Sequence, residues 1–302
     1  MNKLTLKSGS VVIQENTAEL IRGSVSENTL RAYNRCLDEL SVWAAGQELS
    51  DEKLSDYLSV LHDAGKAPST IAQVVAAVKW RYKFSQVELS LPLTDSTLAG
   101  IRRAGRDRGR GQVQGLTWQQ VERVCSFAEA DNTIAGLRDS AMIRLMSDGL
   151  LRVSEVSSVN WGDLKESTLH LRSSKTDQEG VGCSLYVCDG TRDVLYEYKT
   201  AADLSKGACF RRIRRGDKVT SQRLIPNSIR RIIVARATAA GVKGFISGHS
   251  LRVGSAVSLA KAGATVVDMQ VAGRWKSAQM PAHYAAAELA ERGAIARFKD
   301  GK

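Results

Sequence analysis

The chain has 302 residues, of which 43% are hydrophobic and 25% charged, and a formal net charge of +11 at pH 7. This balance is typical of a soluble folded protein with one or two domains and excludes a chain that is disordered throughout. The longest apolar stretch, residues 71–78, is far shorter than the roughly 20 residues needed to cross a bilayer, which argues against a membrane protein.

Residues 1–101 are predicted to form a small helical domain. Residues 1–14 lack the uninterrupted apolar core of a secretory signal, so we expect a cytoplasmic protein. Beyond them, apolar residues recur at helical spacing, and Ser, Asp and Pro stand where helices begin. The predicted helices run from Ser26 to about Ala45, from Ser50 or Asp51 to near Gly65, from Pro68 to Phe84 and from Thr94 to Ala104.

The basic charge is concentrated in the second part of the chain. Residues 1–99 contain 10 Lys and Arg against 12 Asp and Glu, whereas residues 100–302 contain 33 against 20. Such a basic region favours a polyanionic partner, above all nucleic acid, with simple solubility as the alternative. Glycine and arginine in residues 102–115 predict a solvated basic linker, and its Arg106 and Arg108 are candidate phosphate contacts.

Residues 116–302 are predicted to form a second domain that is mostly helical with one β-hairpin. The alternation of apolar and polar residues at 168–172 and 184–187 predicts the two strands. Helices are predicted at 117–128, 133–151, 189–202, 226–240, 250–262 and 265–272, with a last one after Ala286. The fold class is therefore mainly α with a small antiparallel sheet in the second domain.

Familiar cofactor and metal sites lack their minimum parts in this sequence. There is no G-x-x-x-x-G-K-[ST] loop, no H-E-x-x-H and no acidic cluster spaced for magnesium, and the five cysteines include no C-x-x-C pair. We therefore expect no metal, nucleotide or other cofactor. Chemistry on a phosphate would need Arg, Lys and His to neutralise its charge directly.

Three short segments carry residues suited to that task. Arg152 and Glu155 are spaced to pair on one helix face, and His249 and Arg252 stand together at a helix start. Trp275 precedes Tyr284 by an interval that could bring an indole and a phenol together. Each feature alone has an ordinary explanation, such as a surface ion pair, a residue near a helix cap or a packing aromatic.

Taken in order, these residues together with Lys175 in the hairpin segment resemble the catalytic set of the tyrosine recombinase, or phage integrase, family. The resemblance covers nearly the whole chain and is strongest to the Cre-like branch, which has tryptophan where many members carry histidine. It implies two domains that close around duplex DNA: a helical SAM-like core-binding domain over 1–101 and an α+β catalytic domain over 116–302. If these residues had only ordinary structural roles, six of them would have to match the family's order by accident.

The resemblance also implies how the phosphate is held. Arg152 and Arg252 would bind the nonbridging oxygens of the scissile phosphate, each with a planar guanidinium fork. The indole N–H of Trp275 would donate a further hydrogen bond to the phosphate. Glu155 would hold Arg152 and His249 in place.

The remaining implied roles concern bond making and proton transfer. Tyr284 would attack the phosphorus, giving a 3′-phosphotyrosine and a free 5′-hydroxyl without ATP. His249 would accept or share the phenolic proton, and Lys175 would protonate the leaving 5′ oxygen. The activity implied is site-specific recombination through a Holliday junction, carried out by four protomers on two DNA sites.

Candidate residues for reading the DNA sequence lie on predicted helices of both domains. Arginine, asparagine and glutamine can hydrogen-bond to the edges of G and A, although solvated helix faces would contain the same residues. These candidates are Arg31, Gln73, Asn227, Arg230 and Arg231. Two other activities are compatible with the sequence: relaxation of DNA by a type IB topoisomerase, and DNA binding by a regulator whose Tyr284 is idle.

Overall fold

A computed structural model of the chain describes residues 15–83, 89–108, 113–172, 182–291 and 298–299. The chain divides into two compact units, Met1–Gly111 and Gln112–Lys302. Helices dominate both units, and the strands seen in the described ranges all belong to the second unit. The predicted fold class, mainly α with a little antiparallel β structure, is confirmed.

The described part of the first unit consists of helices α1 (Glu15–Gly23), α2 (Glu27–Ala44), α3 (Asp51–Asp63), α4 (Pro68–Tyr82) and α5 (Pro92–Ala104). Ser26 and Ser50 cap α2 and α3, because their hydroxyls accept backbone N–H groups three residues on. Helix α1 was not predicted; of its two large apolar residues, Leu20 is exposed and Ile21 is half-buried.

Long-range contacts organise the first unit around an apolar core. Helix α2 packs on α4 and α3 packs on α5. Their buried side chains include Leu40, Leu54, Leu58 and Ile71. The carboxylate of Asp51, in the first turn of α3, accepts the backbone N–H groups of Leu93 and Thr94 at 2.8 and 2.9 Å. A contact 42 residues away in sequence thus fixes where α5 begins.

The second unit carries the remaining elements. They are α6 (Trp118–Glu129), α7 (Ile134–Asp148), α8 (Val153–Ser158), a 3₁₀ turn (Trp161–Asp163), β1 (Thr168–Leu171), β2 (Cys183–Tyr186), α9 (Asp189–Ala201), β3 (Arg211–Arg214), β4 (Lys218–Arg223), α10 (Pro226–Ala239), α11 (Ser250–Lys261), α12 (Val266–Gly273) and α13 (Gln279–Glu291). Most of these elements enclose one apolar core, in which Met142, Leu145 and Met146 of α7 are fully buried. Helices α11, α12 and α13 share a second, smaller cluster.

The second unit contains two antiparallel hairpins, whereas a single one was predicted. The predicted pair, β1 and β2, has Thr168 opposite Tyr186 and Leu171 opposite Cys183. The missed pair, β3 and β4, is rich in charged residues, so its pattern resembles an exposed loop more than a half-buried strand. The signal for it was Gly216 followed by an aspartate, both of which have positive φ in the turn.

Two close contacts determine how α11 and α13 pack. A Cβ atom at Gly254 would be 1.9 Å from the carbonyl oxygen of Leu116, so only glycine allows α11 to approach that backbone. Ala285 of α13 is buried with Ala256 and Met269 of α11 and α12. The last helix was predicted to start after Ala286, which is wrong: α13 begins at Gln279. The packing of α13 against α11 and α12 therefore sets the position of the residues just before Ala286.

Candidate active site

Three elements of the second unit bring most of the predicted catalytic residues together. Helix α8 begins after Arg152, α11 begins after His249, and α13 carries Tyr284. Lys175 lies in the segment 173–181, outside the described residues. The other candidates form one cluster, which can be built up from its buried carboxylate.

Glu155 is the acidic centre of this cluster. Its side chain is 3% exposed, and its Oε1 accepts a hydrogen bond of 2.6 Å from Nη1 of Arg152. Its Oε2 accepts the backbone N–H of the same residue at 2.9 Å. The carboxylate thus closes the first turn of α8 and orients an arginine whose side chain remains 21% exposed. The predicted support of Arg152 by Glu155 has a geometric basis in these two bonds.

A second arginine contacts the same carboxylate. Nη2 of Arg274 lies 3.0 Å from Oε2 of Glu155, and this arginine is 10% exposed. Arg274 was not among the predicted site residues. Its backbone has the left-handed φ of 55° at the end of α12, a conformation that no sequence signal indicated. His249, the other expected partner of Glu155, lies against Tyr284.

Arg252 is the most deeply buried charged group of the site, with 1% of its surface exposed. Its guanidinium donates to the carbonyl oxygens of Leu150 and Gly273. Leu150 has a φ of 46°, which is unusual for a bulky residue and turns its carbonyl toward the site. The guanidinium carbon also lies 4.4 Å from the ring centroid of Trp275, within range of a cation–π contact.

Trp275 contacts both Arg252 and Tyr284. Its ring is half-buried, and its centroid is 5.9 Å from that of Tyr284. A Cβ atom at Gly273 would be 1.9 Å from the indole ring of Trp275, so position 273 requires glycine. In this position the tryptophan packs both partners, which is compatible with either a packing role or a donor role.

The hydrogen bond that joins His249 and Tyr284 spans 35 residues of sequence. Nε2 of the histidine lies 3.2 Å from the phenolic oxygen, a distance over which a proton can be shared. The histidine stands at the N-cap position of α11, one turn before Arg252. The structure therefore brings the phenol of Tyr284 to the segment that carries both His249 and Arg252.

Burial and neighbouring charges set the protonation states of these groups. Burial raises the pKa of Tyr284, and the charge of Arg252 offsets part of that rise. Burial, with Arg252 and Arg152, lowers the pKa of His249 below its ordinary value of 6.5. Burial, with Arg152 and Arg274, lowers the pKa of Arg252 to about 10, so that it keeps its charge at neutral pH. A neutral imidazole thus stands ready to accept a proton from a neutral phenol.

The candidate DNA-reading residues lie outside this buried cluster. Arg31 and Gln73 are on α2 and α4, and the three others, Asn227, Arg230 and Arg231, are exposed on the first turns of α10. Arg31 pairs with Glu27 at 2.8 Å on the surface. Arg106 and Arg108 follow α5 and are exposed, and the latter donates to the carbonyl oxygen of His62.

Arg230 connects this exposed face to the cluster. Its Cβ and Cγ atoms lie 3.7 Å from where a Cβ of Gly248 would be, next to His249. The start of α10 therefore lies beside the segment that carries His249. In the described ranges, no three His, Cys, Asp or Glu side chains converge as metal ligands, and no helix is long and apolar enough to cross a bilayer.

Comparisons with known proteins identify the family of the chain. Residues 114–291 match the phage integrase family, and residues 13–88 match the N-terminal SAM-like domain of phage integrases. The chain is 24% identical to the recombinase cre of Escherichia phage P1 over 336 aligned positions, which cover 99% of this chain and 96% of that protein. It is 25% identical to the tyrosine recombinase XerD of Oceanobacillus iheyensis, over 81% of this chain and 82% of that protein.

The fold is also similar to that of a solved structure, a lambda integrase tetramer bound to a Holliday junction. The TM-score is 0.61 at 16% identity, over 92% of this chain and 78% of that one. The family resemblance predicted from the catalytic motifs is confirmed. Because the matched integrase region spans more than half of the sequence, the chain belongs to the phage integrase family and is a tyrosine recombinase.

Proposed function

We propose that this enzyme cuts and rejoins duplex DNA at a specific site through a covalent bond between Tyr284 and a phosphate. The observation that carries the proposal is the hydrogen bond between Tyr284 and His249 beside the buried guanidinium of Arg252, in a chain of the phage integrase family. A phenol, a proton acceptor and a fixed positive charge are the minimum set for metal-free phosphoryl transfer.

In the cleavage step, the phenolic oxygen of Tyr284 attacks the phosphorus while the bond to the 5′ oxygen breaks. His249 takes the phenolic proton, and Lys175 gives a proton to the leaving 5′ oxygen. Arg152 and Arg252 neutralise the nonbridging oxygens, and Trp275 donates from its indole N–H. In the reverse step, a 5′-hydroxyl of the partner strand attacks the phosphotyrosine, so the bond energy is conserved and no nucleotide or metal cofactor is consumed.

Strand exchange requires two DNA sites, and we propose four protomers that exchange strands through a Holliday junction. The similarity of fold to a lambda integrase tetramer on such a junction supports this assembly. Residues 1–101 and 116–302 would both bind duplex DNA, with the linker 102–115 contacting phosphates through Arg106 and Arg108. Arg31, Gln73, Asn227, Arg230 and Arg231 would read the site. A DNA substrate also implies a cytoplasmic location.

The test is adduct formation on nicked duplexes taken from the DNA that flanks the gene, run on denaturing gels in EDTA. Wild-type protein should give a covalent protein–DNA adduct, and Tyr284→Phe should give none, because the variant lacks the attacking oxygen. Tyr186→Phe, which removes an exposed phenol of β2, is the matched control and should retain adduct formation. An adduct that persists in Tyr284→Phe, or that requires magnesium, would contradict the mechanism.

Two other functions predict different results in the same assays. A type IB topoisomerase would form the adduct and relax supercoiled DNA without pairing two sites. A DNA-binding regulator would bind the site and form no adduct. Holliday junctions accumulated on paired sites would exclude both.

A further inference from the structure

One charged residue beside the catalytic cluster has no part in the reaction described above. Arg274 ends α12 with a left-handed φ of 55°, and its side chain is nine-tenths buried. Placing both a strained backbone and a cation in the interior is costly unless the side chain is fully used. The hydrogen-bond partners of the Arg274 side chain therefore indicate its role.

The two terminal nitrogens of Arg274 are occupied by protein acceptors. Nη1 donates to the carbonyl oxygens of Gly149 at 2.8 Å and Ala272 at 3.3 Å. Nη2 donates to Oε2 of Glu155 at 3.0 Å and to the carbonyl oxygen of Leu150 at 3.4 Å. All four Nη hydrogens are thus engaged, and the buried Nε has no hydrogen-bond partner among the described residues.

Arg152 contrasts with this pattern. Its Nη1 donates to Glu155, and its side chain is twice as exposed as that of Arg274. Arg274 is turned inward and joins three elements: α12, the loop before α8, and the first turn of α8. With both terminal nitrogens donating to protein acceptors on these elements, Arg274 is placed to orient other groups.

We propose that Arg274 is a positioning residue for DNA cleavage. It clamps the Glu155 carboxylate that orients Arg152, and it holds the Leu150 carbonyl to which Arg252 also donates. The inference rests on the proposed function, since it concerns the same cleavage step.

The physical reason for this clamp lies in charge and strain. Glu155 is buried between the guanidiniums of Arg152 and Arg274. Without Arg274, its Oε2 would keep only the backbone N–H of Arg152 as a hydrogen-bond donor. The Leu150 carbonyl depends on an unfavourable φ of 46° that surrounding bonds must maintain. A shift of about 1 Å in the phosphate-binding arginines would cost on the order of 10²-fold in rate.

The experiment measures single-turnover adduct formation on a nicked site at saturating protein, together with the Kd for the uncut site. We expect Arg274→Ala to slow adduct formation about 10²-fold while the Kd changes by no more than about threefold. Arg274→Lys keeps the charge and loses the planar fork, so it should remain slowed by at least about tenfold. A wild-type rate in either variant, or a loss confined to the Kd, would overturn the proposal.

A double-mutant cycle tests whether the effect passes through the carboxylate. In a Glu155→Gln background, Arg274→Ala should slow adduct formation much less than about 10²-fold, because the contact between Arg274 and the Glu155 carboxylate is already lost. Full additivity would contradict the clamp. The matched control is Arg144→Ala, which removes another largely buried arginine, 2.5 Å from Glu122, and should lower the melting temperature without slowing cleavage by folded protein.

The outcomes also separate this inference from the proposed function. If wild-type protein forms no adduct, the proposed function itself fails. If wild-type protein forms the adduct and Tyr284→Phe does not, but Arg274→Ala cleaves normally, the positioning role alone is wrong.

Discussion

The catalytic cluster and the start of α10 lie in the same unit and carry similar residues, but they are built differently. Arg252 is almost completely buried and donates to two backbone carbonyls. Arg230 and Arg231 are exposed, and the first of them has one long contact of 3.4 Å, to Asn227. The cluster is ordered before any substrate arrives, whereas the α10 side chains are free to adjust to a partner.

This difference separates rate from affinity. In a buried site, fixed charges act at low effective dielectric and cost little reorganisation during the reaction. Exposed charges are screened over about 8 Å at physiological ionic strength, so they add affinity that depends on salt. Substitutions in the cluster should therefore change the cleavage rate, and substitutions on α10 should change binding.

The largest effect is expected for Arg252→Ala. In the proposed mechanism the guanidinium of Arg252 neutralises the phosphate, and removal of one such preorganised donor typically costs 10²- to 10³-fold, so we expect a loss of about 10³-fold in adduct formation. Arg252→Lys should recover little, since an ammonium cannot reproduce the fork. Single-turnover gels measure the rate, and circular dichroism confirms folding. A loss of less than about tenfold in a folded variant would remove Arg252 from the phosphate site.

A smaller effect, with a distinct dependence on pH, is expected for His249. The pKa of His249 is lowered below 6.5, so wild-type cleavage should be nearly constant from pH 7 upward and should fall as acid protonates the imidazole. His249→Ala should reduce the rate about 10²-fold and abolish that acid limb. A variant that keeps the wild-type pH profile would show that another group accepts the proton.

The same lowered pKa affects stability in the same direction. Below pH 6.5 the unfolded chain binds a proton at His249 more readily than the folded chain does. The free energy of unfolding therefore decreases as the pH falls. Rates at each pH should therefore be measured with the folded fraction determined in parallel. If the melting temperature of wild type falls in acid and that of His249→Ala falls less, the histidine contributes to this loss.

The smallest effect is expected for Arg230→Ala on α10. Loss of one exposed contact should weaken binding of the target site by about 1–3 kcal/mol and leave the rate of bound complexes unchanged. If the side chain contacts a phosphate, the slope of log K against log salt should fall by about one; if it contacts a base, specificity should relax at one position. Arg192→Ala, an arginine paired with Asp189, is the control expected to bind normally. A loss of rate without a loss of affinity would place Arg230 inside the catalytic cluster.

Local signals predicted the helices with clear caps. Ser26, Ser50 and Thr117 each accept a backbone N–H three residues on, as their positions before apolar periods indicated. The start of α13 was misplaced: it was predicted after Ala286, but the helix begins at Gln279 and includes Pro281. The proline is tolerated because it lies in the first turn, where its missing N–H would have no intrahelical partner. Local patterns are reliable only where local energies decide the structure.

The order and types of the reactive residues, and the basic second part of the chain, were determined by the sequence alone. That order was sufficient to indicate the family, because chemistry restricts which side chains can serve a phosphate. Tertiary structure decided which of these groups meet. His249 reaches Tyr284, and Arg274 reaches Glu155, 119 residues away, only because glycine and alanine at buried positions let α11, α12 and α13 pack closely. Such contacts depend on packing between distant segments, for which local spacing carries no information.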